Sequence, residues 1–133
     1  LGVGLSLDLT LRELQQELKE KGLPWEKAKA FDGACPTSDF ISIDQCGDLQ
    51  TQQIVLNQNG EVRQNGSTSD MLTPVGDLLV YISQFFTLLP GDIVLTGTPA
   101  GVGPLQDGDR LVLSLSDLIH FKTEVHTSQD SPA

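Results

Sequence analysis

The spacing of apolar residues changes several times along the chain, and each spacing points to an element. Val3 to Asp8 alternates small or polar positions with apolar ones and predicts a strand. Leu11, Leu14 and Leu18 then recur at helical spacing, which predicts a helix from Leu11 to Lys21 with these leucines as its buried stripe. Thr10-Leu11-Arg12-Glu13 has the form of a capping box, and Gly22 with Pro24 behind it supplies the stop. Asp8 therefore stands where a strand ends and a helix begins.

Farther on the pattern is more broken. Pro24 to Thr37 reads as mostly irregular, with Gly33 and Pro36 as breakers. Gln53 to Asn57 predicts a strand, Asn59-Gly60 a tight hairpin turn, and Glu61 to Gln64 the return strand. Thr73-Pro74 looks like a cap followed by Pro at the first helical position. Val75, Leu78, Leu79, Ile82 and Phe86 mark an amphipathic helix behind it. After the Pro90-Gly91 turn, Ile93 to Thr96 reads as a short strand. Asp107-Gly108 turns the chain into a strand from Arg110 to Leu115, and Phe121 to Val125 is the last. The sum is an α+β, mainly β fold. Residues 1–127 are expected to belong to one domain, and 128–133 to form a polar, frayed tail.

A length of 133 residues suits one domain, and 38% hydrophobic residues suffice for a modest core. Eight Lys and Arg against 18 Asp and Glu give a net charge of −10. Such a chain repels phosphate backbones, so nucleic acid is a poor partner, and an anionic substrate would need local cations or a metal. No apolar run reaches the ~18 residues of a membrane helix, and no secretory signal is visible. A cytoplasmic protein is expected. Leu1-Gly2-Val3-Gly4-Leu5 reads like the inside of a strand, which suggests a chain beginning within a domain. Cys35 and Cys46 form no C-x-x-C pair and are expected to be buried thiols. His120 and His126, evenly spaced, would share one face of a strand. They read as surface residues, or as a metal pair with no visible third ligand.

Three stretches could carry chemistry. Arg12 and Gln15 share a face of the first helix near its N-terminus, where anions are favoured, and Asp8 stands just before them. The alternative is a solvated helix face with an acidic residue easing the dipole. Lys29 lies between alanines and close to Phe31, so it is either a partly buried, paired lysine or a surface one. Thr96-Gly97-Thr98-Pro99-Ala100-Gly101-Val102-Gly103-Pro104 is a loop built for close backbone approach. It either binds a carboxylate through backbone N–H groups and the Thr98 hydroxyl, or is a tight structural turn. It is neither a Walker loop nor G-x-G-x-x-G.

Taken in order, four segments resemble the fumarylacetoacetate hydrolase family, most of all its small acylpyruvate hydrolases. They are Leu7 to Gln15, Lys21-Gly22-Leu23-Pro24-Trp25 with Ala28-Lys29, Asn59-Gly60-Glu61 with Thr68-Ser69-Asp70-Met71, and Pro90 to Pro104. The resemblance runs from about Leu5 to Leu115. It implies a mixed β-sandwich roll with short flanking helices, N-terminally incomplete here and dimeric in the full-length form. It further implies a site with Mg²⁺ or Mn²⁺ on three carboxylates, acting on a small anionic 2-oxo or diketo acid. Asp8 matches one metal ligand, Lys29 the active-site lysine, Arg12 and Gln15 substrate contacts, and Thr98 a carboxylate-binding threonine. Arg12 is then expected to face the site cavity, and Lys29 to point toward Asp8. The other two metal ligands, on a Glu-x-Glu strand, and a lid with a His–Glu pair have no counterpart in the chain. Ser116-Asp117-Leu118 stands where the family has a Gly-containing turn. The implied reaction is hydrolytic C–C cleavage of an acylpyruvate-type diketo acid. The alternatives are isomerisation, decarboxylation or tautomerisation within the same family, or a non-catalytic remnant serving as a structural or binding domain.

Overall fold

The computed structural model describes residues 1–127; the expected tail from Ser128 lies outside them. Strands β3 (Gln53–Gln58), β4 (Glu61–Ser67), β5 (Arg110–Leu115) and β6 (Ile119–Glu124) form one sheet in the order β4-β3-β5-β6, antiparallel throughout. Alternation sets its inner face. Leu111, Leu113 and Leu115 are buried along β5, Ile119 joins them from β6, and Ile54 and Leu56 pack alongside from β3. The β3–β4 hairpin turns on Asn59 and Gly60, both at positive φ (54° and 86°), as the Asn-Gly signal predicts. The β5–β6 hairpin turns at Ser116–Leu118. Ser116 takes φ 44° without being glycine, and its Oγ accepts from the Gln53 N–H at 3.1 Å. That bond anchors the turn to the neighbouring strand.

The expected strand from Val3 to Asp8 is largely extended chain. Only Gly2–Val3 (β1) pairs as a strand, with Ile41–Ser42 (β2), and Ser6 bridges Thr37. The ladder is interrupted because the Leu5 N–H bonds the Ser38 hydroxyl at 2.9 Å. The alternation still governs packing: Leu5 is buried in the core cluster, with Val3 and Leu7 against it.

The first helix, α1, spans Arg12–Glu20 and stops at Gly22 (φ 63°), where the Leu23 N–H reaches back to the Leu18 carbonyl at 2.9 Å. The expected capping box does not form. Thr10 Oγ1 is taken by Lys29, and the helix start has no side-chain cap. Of the leucine stripe, Leu18 is buried, Leu14 half-buried and Leu11 exposed. Within the stretch read as irregular, Glu26–Lys29 forms a four-residue helix, α2. Helix α3 spans Val75–Ser83 and ends before Phe86, which is exposed. Its start is capped not by Thr73 but from a distance, as the Val75 N–H donates to Gln50 Oε1 at 3.0 Å.

The strand expected at Ile93 to Thr96 is absent, and the segment pairs with no strand among the described residues. Ile93 and Leu95 are exposed, as are Tyr81, Phe85 and Leu89 before them. Cys46 is buried as expected, but Cys35 is exposed and in contact with Ser6 Oγ at 3.1 Å, and both thiols are free. His120 and His126 are exposed. No helix among the described residues is long and apolar enough to cross a membrane.

Candidate active site

Ala28, fully buried, fixes α2 against the start of α1. The Leu11 N–H bonds the Ala28 carbonyl at 3.0 Å, and the Leu9 N–H bonds that of Ala34 at 2.9 Å. One residue past Ala28, Lys29 is carried to the junction between the first extended segment and α1. Its ammonium donates to Asp8 Oδ1 at 2.6 Å and to Thr10 Oγ1 at 2.9 Å, while the Thr10 hydroxyl donates to the Asp8 carbonyl at 3.3 Å. The Lys29 side chain keeps 33% of its surface exposed and that of Asp8 50%, so the pair is open on one side. A depression of ≈410 Å³ lined by Leu23, Pro24, Trp25, Glu26, Lys29 and Ala30 adjoins it.

Arg12 and Gln15 lie on α1 within two turns of Asp8. Arg12 is exposed and forms no ion pair among the described residues, and Gln15 is half-buried. The expectation that Arg12 faces a cavity is not met, because nothing in the described chain covers that side of α1.

Thr98 is hydrogen-bonded elsewhere. The loop that carries it is docked on β4: Gln64 Nε2 donates to Thr98 Oγ1 at 2.8 Å and to the Pro99 carbonyl at 2.7 Å. Pro99 also packs on Gly66, where an added Cβ would stand 2.7 Å from the Pro99 Cβ. The close backbone approach expected of this loop is therefore an approach to its own sheet. Thr98 is exposed and makes no hydrogen bond to Asp8, Lys29, Arg12 or Gln15.

A hard divalent ion takes about six oxygen ligands, commonly with one or more carboxylates among them. Asp8 offers one half-exposed carboxylate, and its Oδ2 has no protein partner among the described residues. No group of three or more His, Cys, Asp or Glu side chains converges there or elsewhere among those residues. Asp8 thus fits as one ligand of such an ion; these residues alone do not make a complete set.

Two side chains have roles that sequence reasoning missed. Thr10 reads as a helix cap but binds Lys29, and Gln64 sits in the wholly polar run Arg63-Gln64-Asn65, where nothing marks it as inward. Asp109, in a turn sequence, is buried. It accepts from Gln58 Nε2 (2.6 Å), Asn59 Nδ2 (2.7 Å) and the Gln106 N–H (2.8 Å). The Gln106 N–H, then the Asn59 amide, hold its carboxyl below the usual aspartate value, with Gln58 and the Arg63 charge adding to this against partial desolvation.

Residues 1–126 match the family described as Fumarylacetoacetate (FAA) hydrolase C-terminal, and the chain belongs to the fumarylacetoacetate hydrolase family. Among its relatives, the oxaloacetate tautomerase of Escherichia coli (strain K12) is 54% identical over 114 residues, 85% of this chain and 52% of that protein. The mitochondrial oxaloacetate tautomerase of Homo sapiens is 42% identical over 125 residues, 92% of this chain and 57% of that protein. The chain spans about half the length of the curated relatives it matches. Fumarylpyruvate hydrolase from Pseudomonas aeruginosa, solved in complex with Mn²⁺ and pyruvate, superposes with a TM-score of 0.90 at 36% identity, over 96% of this chain and 55% of that one. A family protein from Yersinia pestis CO92 superposes at 0.88 with 56% identity, over 93% and 57%. The mainly β fold with few helices is the fold of this family.

Proposed function

We propose that the chain supplies part of an enzyme site that grips a small anionic 2-oxo acid and steadies the enolate formed from it. The reaction we favour is keto–enol tautomerisation of oxaloacetate. The observation that carries this is the Lys29 ammonium, fixed by Asp8 and Thr10 at an open junction, in a chain 54% identical to an oxaloacetate tautomerase. Sequence reasoning placed C–C hydrolysis first. That second reading is supported by the likeness to a fumarylpyruvate hydrolase.

Both reactions share one electronic demand. In the tautomerisation a proton leaves the methylene carbon beside the ketone, negative charge develops on the carbonyl oxygen, and a proton added there gives the enol. In the hydrolysis water adds to the acyl carbon, the C–C bond breaks, and its electron pair becomes the enolate of the departing 2-oxo acid. Lys29 would place positive charge near that oxygen, and its contacts to Asp8 and Thr10 fix the ammonium before the reaction begins. Thr98 would hold a substrate carboxylate, with Arg12 and Gln15 contributing to the anionic end. A Mg²⁺ or Mn²⁺ ion held in part by Asp8 would supply Lewis-acid polarisation of the ketone.

The test joins this chain to the half of the Escherichia coli tautomerase that it does not match, and assays oxaloacetate tautomerisation and fumarylpyruvate cleavage side by side. Oxaloacetate turnover that collapses in Lys29→Met is the expected result. Cleavage with no tautomerisation would move the reading to the hydrolase. Neither activity, in a folded and metal-loaded protein, would end both.

A further inference from the structure

Gln64 is a polar side chain turned inward from β4, 9% exposed, with its amide against two oxygens of the Thr98 loop. A carbonyl oxygen can only accept, so the group 2.7 Å from the Pro99 carbonyl must be the NH₂ of Gln64 and not its oxygen. That decides which way the amide points, which coordinates alone seldom do. The same nitrogen lies 2.8 Å from Thr98 Oγ1, so its two hydrogens are spent, one on each oxygen. Thr98 Oγ1 is therefore an acceptor toward Gln64. Its own O–H has no acceptor among the described residues.

We propose that Gln64 is a positioning residue: by donating to Thr98 Oγ1 it reserves the threonine hydroxyl as a donor for a carboxylate of the 2-oxo acid. This rests on the reading that Thr98 binds that carboxylate. A hydroxyl free to rotate can offer a lone pair or a proton, and a lone pair would repel an anion. Gln64 occupies one lone pair and cannot itself take the proton, which leaves the O–H free to donate to the anion. The docking that holds the loop in place, Pro99 on Gly66 and Gly101 on the Arg63 carbonyl, keeps the geometry rigid enough for this to matter.

Gln64→Glu separates this role from simple packing. The introduced carboxylate matches the glutamine in size but can only accept, so it captures the Thr98 O–H and adds a negative charge beside the substrate anion. In the complete enzyme, KM for oxaloacetate should rise about tenfold or more, the scale of one lost hydrogen bond to a charged group, while kcat changes little. The penalty should shrink as pH is lowered, because protonating the introduced carboxyl restores a donor. Gln64→Met, which removes the donor without adding charge, should give a smaller, pH-independent rise in KM, and it carries the test alone if the first variant does not fold. An unchanged KM in either folded variant overturns the proposal. So does a kcat loss without a KM change, or an identical pH-independent penalty in both. Thr98→Val is the reference: if it leaves KM unchanged, the carboxylate reading of Thr98 has failed. If it raises KM while the Gln64 variants do not, only the positioning role has failed.

Discussion

Gly101→Ala is the substitution with the sharpest structural forecast. Gly101 sits at φ 101°, in the left-handed half of backbone space, and an added Cβ would overlap the Arg63 carbonyl oxygen of β4. A side chain at such a φ costs about 1–2 kcal/mol by itself, and a rigid carbonyl in a sheet cannot yield cheaply. The alternative is for the loop to lift off β4, which forfeits the two Gln64 hydrogen bonds to Thr98 and Pro99. At ~0.5–1.5 kcal/mol each these are worth about 1–3 kcal/mol. The protein takes the cheaper route, so the expected loss is about 1–3 kcal/mol with the loop undocked. With a urea m-value of ~1–3 kcal/mol/M, the midpoint should fall by roughly 1 M. Gly103→Ala is the matched control, since a Cβ there meets nothing within 4 Å and the backbone is not left-handed. It should be neutral, or stabilising by ~0.4–1 kcal/mol through the unfolded state. Hydrogen exchange should show the Thr98 loop and the neighbouring part of β4 loosened in the first variant only. Equal urea midpoints for the two variants would refute the docking argument.

Four further outcomes follow from the same structure. Leu111→Ala, at a side chain 1% exposed in the middle of β5, should cost ~2–5 kcal/mol in denaturant melts; a loss well under that range would mean the core is looser than described. Lys29→Met should lower stability by no more than ~1 kcal/mol, because the ion pair with Asp8 is partly open to solvent, yet should remove most turnover; intact turnover would dismiss the lysine from the site. Asp109 has its folded-state carboxyl held below 3.8, so its contribution is present above that pH and is lost as pH falls through the lower, folded value. Asp109→Asn should therefore be less stable at neutral pH and show a shallower acid-induced loss below pH 3.8; parallel acid curves would contradict the assignment. Calorimetric titration of residues 1–133 alone with Mn²⁺ should show weak binding, because no group of three or more His, Cys, Asp or Glu side chains converges among the described residues; micromolar affinity would require ligands not identified among these residues.

The family and its fold were legible in the chain itself, since the matched segments run nearly its whole length. Local chemistry was legible wherever it is decided by neighbours in sequence. Asn59-Gly60 turns because both residues accept positive φ, Gly22 ends α1 for the same reason, and β5 alternates buried and half-buried side chains as its leucines require. What failed were features decided by distant partners. Thr10 has the sequence of a helix cap, but an ammonium 19 residues away outbids the backbone N–H for its oxygen. The start of α3 is capped by Gln50, 25 residues back. Ile93 to Thr96 has strand composition but pairs with no strand among the described residues, and a ladder needs two sides. The candidate site divides in the same way. Asp8, Arg12 and Gln15 are adjacent in sequence, and their grouping could be read there. The meeting of Asp8 with Lys29 across 21 residues, and the capture of Thr98 by Gln64 across 34, depend on how α2 and the loop fold back, which no local pattern encodes.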